Sequence, residues 1–288
     1  MRSFLPSYEL RRAATMEAAV SVLGDEPGVW RPFAGGTDLM VQLAAGALPH
    51  RKFVSLWGIE ELRRIRVDDD ALVLGAMATF TDMQRHAIVR EEFPLLCRAA
   101  AETGGIANQN RGTIGGNIAN ASPAADTPPA LLVYDAQIEL VSSRGRRTVP
   151  YETFHRGYKQ MDLAPDELIA AIRLPRTAGW MQHYRKVGAR RAQAISKVCF
   201  AARARVDASR VQDIRLAFGS VAPTVVRAVH AEAAIRGAAP DASRIDAAVA
   251  ALERDIAPID DIRSTRDYRM RVAANLLIEF AASLRAAV

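Results

Sequence analysis

Asn110-Arg111-Gly112-Thr113-Ile114-Gly115-Gly116-Asn117-Ile118-Ala119-Asn120-Ala121-Ser122-Pro123-Ala124-Ala125-Asp126 is the stretch around which the rest of the chain is organised. Glycines stand at Gly112, Gly115 and Gly116, hydroxyl and amide side chains lie among them, and a carboxylate follows at Asp126. So little bulk cannot fill a core. Glycine lets the backbone adopt positive φ and approach a ligand closely, so that unbonded N–H groups can point at an anion. Ser122-Pro123 predicts a turn, and Asp126 is placed to accept hydrogen bonds from hydroxyls. A shorter echo, Phe33-Ala34-Gly35-Gly36-Thr37-Asp38, lies upstream. Two such loops suggest two sides of one phosphate-bearing ligand, and two tight turns are the plainer alternative.

Outward from the echo, residues 29–33 read as a short strand and residues 39–45 as a helix stopped by Gly46. Strand, glycine turn and helix start combine free N–H groups with a helix dipole, which suits a phosphate. Asp38 reads as the cap of that helix, so that the loop backbone rather than the Asp38 carboxylate supports the phosphates. A helix over 16–23, capped by Thr15, and a strand over 53–57 complete a small α/β unit. A second unit follows. It has a hairpin around Asp68-Asp69-Asp70, helices over 81–86 and 94–104, then the glycine stretch. Strands over 137–141, up to Val149 and over 167–175 close it. Pro175 to Gly179 marks a boundary, beyond which strands over 183–187, 197–206 and 214–218 precede helices over 228–236, 245–252 and 268–284.

Composition sets the limits. A chain of 288 residues, 50% hydrophobic, is long enough for two packed domains. The net charge of +6 comes from 38 basic and 32 acidic residues spread along the chain. Arg63-Arg64, Arg146-Arg147 and Arg190-Arg191 are isolated doublets without interleaved aromatics, which argues against nucleic acid as a partner. Cys97 and Cys199 are too few for an iron–sulfur cluster, and no Cys/His spacing resembles a metal site. Met1-Arg2-Ser3-Phe4-Leu5-Pro6 lacks the pattern of a signal peptide, and no apolar run is long enough to span a membrane. A soluble, cytoplasmic protein is expected. No Gly-x-Ser-x-Gly elbow, His-Glu-x-x-His motif or Gly-x-Gly-x-x-Gly dinucleotide fingerprint occurs. With no nucleophile or acid–base pair in evidence, the chain reads as a holder for a ligand that does the chemistry itself.

Taken together, Ala34-Gly35-Gly36-Thr37-Asp38-Leu39, Gly112-Thr113-Ile114-Gly115-Gly116-Asn117 and Ala121-Ser122-Pro123-Ala124-Ala125-Asp126 resemble the FAD-binding medium subunit of the molybdenum hydroxylases. That is the carbon monoxide dehydrogenase and xanthine dehydrogenase family. Tyr184-Arg185-Lys186, Leu216-Ala217-Phe218-Gly219-Ser220-Val221-Ala222 and Asp267-Tyr268-Arg269 extend the resemblance through the C-terminal part. It implies an α+β fold, with a two-part FAD-binding domain of the PCMH (vanillyl-alcohol-oxidase-like) type over 1–176, split near residue 58. A smaller α+β domain with an antiparallel sheet and helices would occupy 177–288.

The resemblance also implies roles. Phe33 to Leu39 and Gly112 to Asn117 would wrap the FAD pyrophosphate with backbone N–H groups. Thr37 and Thr113 would add hydroxyls, Asn117 an amide, and Ala121 and Ser122 would continue the wall. Asp126 would stand near the adenosine ribose, Ile169 against the cofactor, and Lys186 near the isoalloxazine, where its charge favours the reduced ring. No residue of the chain is expected to be catalytic. A molybdopterin-binding large subunit and a small subunit with two-iron, two-sulfur clusters would be the partners, in a dimer of heterotrimers. Ala192-Gln193-Ala194 replaces an acidic pair that xanthine dehydrogenases carry, which weakens NAD as electron acceptor and leaves quinone, oxygen and a carrier protein open. The alternatives are a stand-alone FAD oxidase or reductase and a non-enzymatic nucleotide-binding module.

Overall fold

A computed structural model describes residues 7–190 and 193–285; the expectations for residues 1–6 and for Arg191 and Ala192 fall outside these. Near the N-terminus, β1 (Glu9–Arg12), β2 (Trp30–Phe33) and β3 (Lys52–Ser55) form a parallel sheet in the order β1-β3-β2. The strand β1 was not foreseen. All four of its residues are exposed, so it carries no alternation of apolar and polar positions. Thr15 caps the helix Met16–Asp25 by accepting from the Ala18 N–H, and the helix continues through Gly24. A Cβ at Gly24 would meet Ser143 Oγ at 3.3 Å, so this glycine permits close packing on the next unit and does not end the helix.

That next unit is an antiparallel sheet of β4 (Ile65–Asp68), β5 (Ala71–Gly75), β6 (Gln137–Ser142), β7 (Gly145–Pro150) and, after the small hairpin β8 (His155–Gly157) and β9 (Gln160–Met161), β10 (Leu168–Pro175). The order is β4-β5-β10-β6-β7, with the nearly all-buried β10 in the middle. The hairpin expected at Asp68 to Asp70 is there, with Asp69 at φ 53° in its turn. Several elements differ from expectation. The glycine stretch is a helix, Ile114–Asn120, and residues Pro128–Val133 form another in which every side chain is buried. Such a helix has no polar face and therefore no amphipathic period.

The C-terminal part is an antiparallel sheet of β11 (Met181–Val187), β12 (Val198–Asp207), β13 (Arg210–Gly219) and β14 (Val226–Arg227), in chain order. Its β12 shows how the two parts join. Side chains alternate along a strand: Val198, Phe200, Ala202 and Ala204 pack with the helices Val229–Ile235, Ala242–Leu252 and Arg266–Arg285. Cys199 and Ala201 face the opposite way, into the core of the first part. With both faces covered, the strand reads as an unbroken apolar run. Among the described residues no helix is long and apolar enough to cross a membrane.

Candidate functional site

The strand β2 delivers the chain into residues 34–38. Gly36 sits at φ 78°, and a Cβ there would lie 2.7 Å from the Phe33 ring, which supports the turn from beneath. A Cβ at Gly35 would lie 1.8 Å from the Arg111 carbonyl oxygen. The two glycine stretches therefore touch, backbone against backbone. The N–H groups of Ala34, Gly35, Gly36, Thr37 and Asp38 donate to no protein acceptor among the described residues. A turn with a run of bare donors is an anion cradle.

The second stretch differs. Its N–H groups at Gly112, Ile114 and Gly115 are spent on the carbonyls of Asn108, Ala78 and Ala76, and Gly116 donates to Thr113 Oγ1 at 3.1 Å. A Cβ at Gly115 would lie 2.6 Å from Ala76 Cβ, and one at Gly112 would lie 2.8 Å from the Phe80 ring. These glycines let the helix start lie against residues 76–80. What the stretch presents to the cleft is the Asn117 amide N–H groups, the Asn117 carbonyl oxygen being taken by the Thr127 hydroxyl at 2.6 Å. Thr113 is 2% exposed, caps the helix start and does not line the cleft.

Asp38 stands at the N-cap position of the helix Leu39–Ala44 but makes no cap bond. Its φ of −90° and ψ of −45° are already helical, whereas a capping side chain needs an extended residue. Its carboxylate instead accepts from Gln42 Nε2 and, at 3.3 Å, from Asn120 Nδ2. Asn120 in turn accepts from Lys159 Nζ at 2.6 Å. This chain of contacts ties the first loop, the end of the helix Ile114–Asn120 and the β8–β9 turn together.

Beside these elements runs a cleft of about 1050 Å³, walled on one side by Asp38, Asn117, Ser122 and Asp126 and on the other by Ser196, Ser220, Asp261 and Arg269. Ligand pockets commonly span about 300–1,000 Å³, so this one suits an extended ligand. The two parts of the chain close on it through Pro123 and Ala124, whose carbonyls accept from the Ser220 N–H at 2.8 Å and the Ser196 hydroxyl at 3.2 Å. Gly104 and Gly105 also line the cleft. Gly104 ends the helix expected over 94–104, and the Gly104-Gly105 pair beside Thr103 is the signal in the sequence that marks this turn. Ile169 lies elsewhere: it is 4% exposed, pairs with Leu140 in the sheet and belongs to the core.

Asp126 is 7% exposed and forms an ion pair with Lys186 at 2.7 Å, while Lys186 also donates to the Glu102 carbonyl at 2.8 Å. The other carboxylate oxygen, Oδ1, is buried without a partner among the described residues. Burial pushes the Asp126 carboxyl up to about 6, against the pull of Lys186. The Tyr184 hydroxyl donates to the Asp126 carbonyl at 3.2 Å. The resemblance separates Asp126 and Lys186 into a ribose contact and a ring contact. The fold makes them one unit.

A cradle of bare N–H groups, an orphaned buried carboxylate oxygen and a long cleft fit a cofactor with a pyrophosphate and polar rings. The family model described as the FAD binding domain in molybdopterin dehydrogenase matches residues 6–177. This chain belongs to that family. The CO dehydrogenase flavoprotein C-terminal domain matches residues 182–284. The xanthine dehydrogenase FAD-binding subunit of Escherichia coli O157:H7 is 34% identical over 91% of this chain and 90% of its own length. The carbon monoxide dehydrogenase medium chain of Hydrogenophaga pseudoflava is 30% identical over 94% and 95%. Among solved structures, carbon monoxide dehydrogenase from Hydrogenophaga pseudoflava superposes with a TM-score of 0.93 at 30% identity, over 98% of this chain and 99% of that one. Quinoline 2-oxidoreductase from Pseudomonas putida 86 gives 0.89 at 26% identity, over 98% and 99%. The flavoprotein subunit of a molybdenum-containing dehydrogenase is thus the class into which the whole chain falls.

Proposed function

We infer that this chain is the FAD-binding electron-transfer subunit of a multi-subunit molybdenum hydroxylase. The observation that carries the reading is the unbonded N–H run from Ala34 to Asp38, packed against Arg111 and reaching the cleft at Asp38. Bound there, FAD supplies the redox chemistry, taking electrons from the iron–sulfur clusters of a partner subunit and passing them to an external acceptor. The chain's own work is binding and orientation. Residues 34–38 receive the pyrophosphate through backbone donors, and the Asn117 amide adds a side-chain donor from the facing helix, whose start Thr113 caps. Gly35, Gly112 and Gly115 keep the two walls close enough to act on one ligand. Ser196 and Ser220 tie the C-terminal sheet to the Ala124 carbonyl and to each other at the edge of the cleft.

A large molybdopterin-binding subunit and a small iron–sulfur subunit complete the enzyme, as a dimer of heterotrimers in the cytoplasm. Both cysteines are free thiols, as suits a reducing compartment. Purification with the neighbouring reading frames tests this reading. A yellow complex with a molybdopterin-type chain and a cysteine-rich chain is expected. A chain that shows no flavin absorbance after incubation with FAD refutes it, and turnover by the isolated yellow chain on a substrate of its own would favour a stand-alone flavoenzyme.

A further inference from the structure

Residues 168–206 hold nine lysines and arginines and not one aspartate or glutamate. The chain carries +6 in all, so the residues outside this stretch are together slightly acidic. Four of the cations are matched within the fold: Arg173 by Asp68, Arg176 by Glu92, Lys186 by Asp126 and Arg203 by Asp135. Arg185 and Arg205 are not. Both are exposed, and neither has a carboxylate within ion-pair distance among the described residues.

Arg205 is nevertheless held in place. Its guanidinium lies 4.6 Å from the centre of the Trp180 ring, the same ring that covers Arg203 at 4.2 Å. A stacked arginine has given up part of its freedom before any partner arrives, which lowers the entropic cost of binding. Hydrogen bonds show the same excess of donors. Trp180 Nε1 and Arg203 Nε are buried and have no acceptor among the described residues. Such groups are few in native proteins, so two of them side by side point to an acceptor-rich neighbour.

These residues flank β11, the edge strand of the C-terminal sheet, which contains no acid of its own. Only one side of β11 is paired, with β12, and its outward N–H groups donate to no acceptor among the described residues. The helix Pro94–Glu102 adds Arg98, also exposed. Burial holds the His183 imidazole below its ordinary value, and Arg98 and Arg185 beside it press the same way, against the pull of Glu279 at 3.7 Å. Charge on an edge strand can serve merely to keep other strands away. That accounts for arginines reaching into water, but not for a guanidinium stacked in place beside unmatched buried donors.

We propose that the β11 edge is a docking surface for an extended acidic segment of a partner protein, whose carboxylates pair with Arg185 and Arg205 while its backbone runs beside the strand. An unpaired edge receives an extended chain, and side-chain charge selects which one. Nothing in this surface depends on the ligand of the cleft.

Fluorescence anisotropy of a labelled hexaglutamate peptide with the full chain, at low ionic strength, tests it. Wild type should bind hexaglutamate and leave hexaglutamine unbound. The double variant Arg185→Glu, Arg205→Glu should bind hexaglutamate at least about tenfold more weakly, because it sets like charges face to face. Arg12→Glu, Arg64→Glu makes the same change in net charge at two exposed arginines of the first part. It should stay within about twofold of wild type, since screening confines the effect of exposed charges to their neighbourhood. All four positions are exposed, so both double variants should unfold at the wild-type temperature. Equal weakening in the two overturns the proposal, because the peptide then reads only overall charge. So does a wild-type chain that binds hexaglutamine as well as hexaglutamate, or binds neither.

Discussion

Gly35 shows how one missing methyl group lets two backbone stretches of the candidate site meet. Its virtual Cβ lies 1.8 Å from the Arg111 carbonyl oxygen and 2.6 Å from the carbonyl carbon, both rigid backbone atoms. Gly35→Ala must push the first loop off the second, with a cost of about 1–3 kcal/mol or more and loss of FAD affinity beyond that. Gly58→Ala is the control, because its nearest neighbour would be the Ala13 carbonyl at 3.8 Å; thermal unfolding should leave it within about 0.5 kcal/mol of wild type. Asp126 carries a second residue-scale expectation. Burial raises its carboxyl from 3.8 to about 6, so the native state holds the proton more firmly than the unfolded chain. The stabilisation is complete below about pH 4 and is lost as pH rises through about 6, an effect on the order of 3 kcal/mol in the absence of ligand. Chemical denaturation from pH 4 to 7 should show wild type losing stability relative to Asp126→Asn over that window. Parallel profiles of the two proteins would mean that Asp126 titrates normally.

At the scale of elements, the helix Ile114–Asn120 was the hardest to read in the sequence. Glycine and asparagine are poor helix formers, and a helix of seven residues has little intrinsic stability. It forms because tertiary bonds hold its start: Ile114 and Gly115 donate to Ala78 and Ala76, and Thr113 caps Gly116. Thr113→Ala should therefore cost about 1 kcal/mol in thermal unfolding and weaken FAD binding, while Thr113→Ser keeps the hydroxyl and restores both. The sheets were legible for the opposite reason. Residues 137–141 alternate in the way a strand with one covered face requires, and residues 214–218 are an apolar run broken only by Arg215. The acidic run Asp68-Asp69-Asp70 marks a turn whichever partner its carboxylates find, Arg173 at 2.8 Å in the case of Asp68. The helix Pro128–Val133 and the strand β1 escaped because one is wholly buried and the other wholly exposed, so neither carries a period. The two glycine stretches were legible as a pair. Which of them keeps its N–H groups free was not, because that depends on residues 76–80 lying against the second. The pairing of Asp126 with Lys186 was hidden likewise, since residues 60 apart meet only once the C-terminal sheet docks.

That docking is itself a whole-molecule problem, because the cleft exists only while the two parts hold one orientation. Apolar contact supplies much of it: Tyr184, Cys199, Ala201 and Ala217 of the C-terminal sheet share a core with the helix Pro128–Val133. Direction comes from Asp135, just past that helix, at φ 53°. Its carboxylate faces Arg203 at 2.7 Å, Arg227 at 3.3 Å and Arg215 at 3.5 Å, one arginine from each of β12, β14 and β13. Arg203 is 3% exposed, with Trp180 over its guanidinium, so loss of its anion strands a charge in the seam. Asp135→Asn separates the charge from the backbone, since asparagine tolerates the left-handed conformation nearly as well as aspartate. The expected cost is about 3 kcal/mol, the low end for breaking a buried ion pair, because Asp135 itself is 42% exposed. A lowered unfolding temperature, faster proteolysis between Pro175 and Met181, and weaker FAD binding should appear together. If Asp135→Asn unfolds at the wild-type temperature, the apolar seam alone sets the orientation and the three arginines serve only to solvate the Asp135 carboxylate. If it unfolds early yet binds FAD as tightly as wild type, the cleft owes nothing to the angle between the two parts, and the ring end of the cofactor must be held by the first part alone.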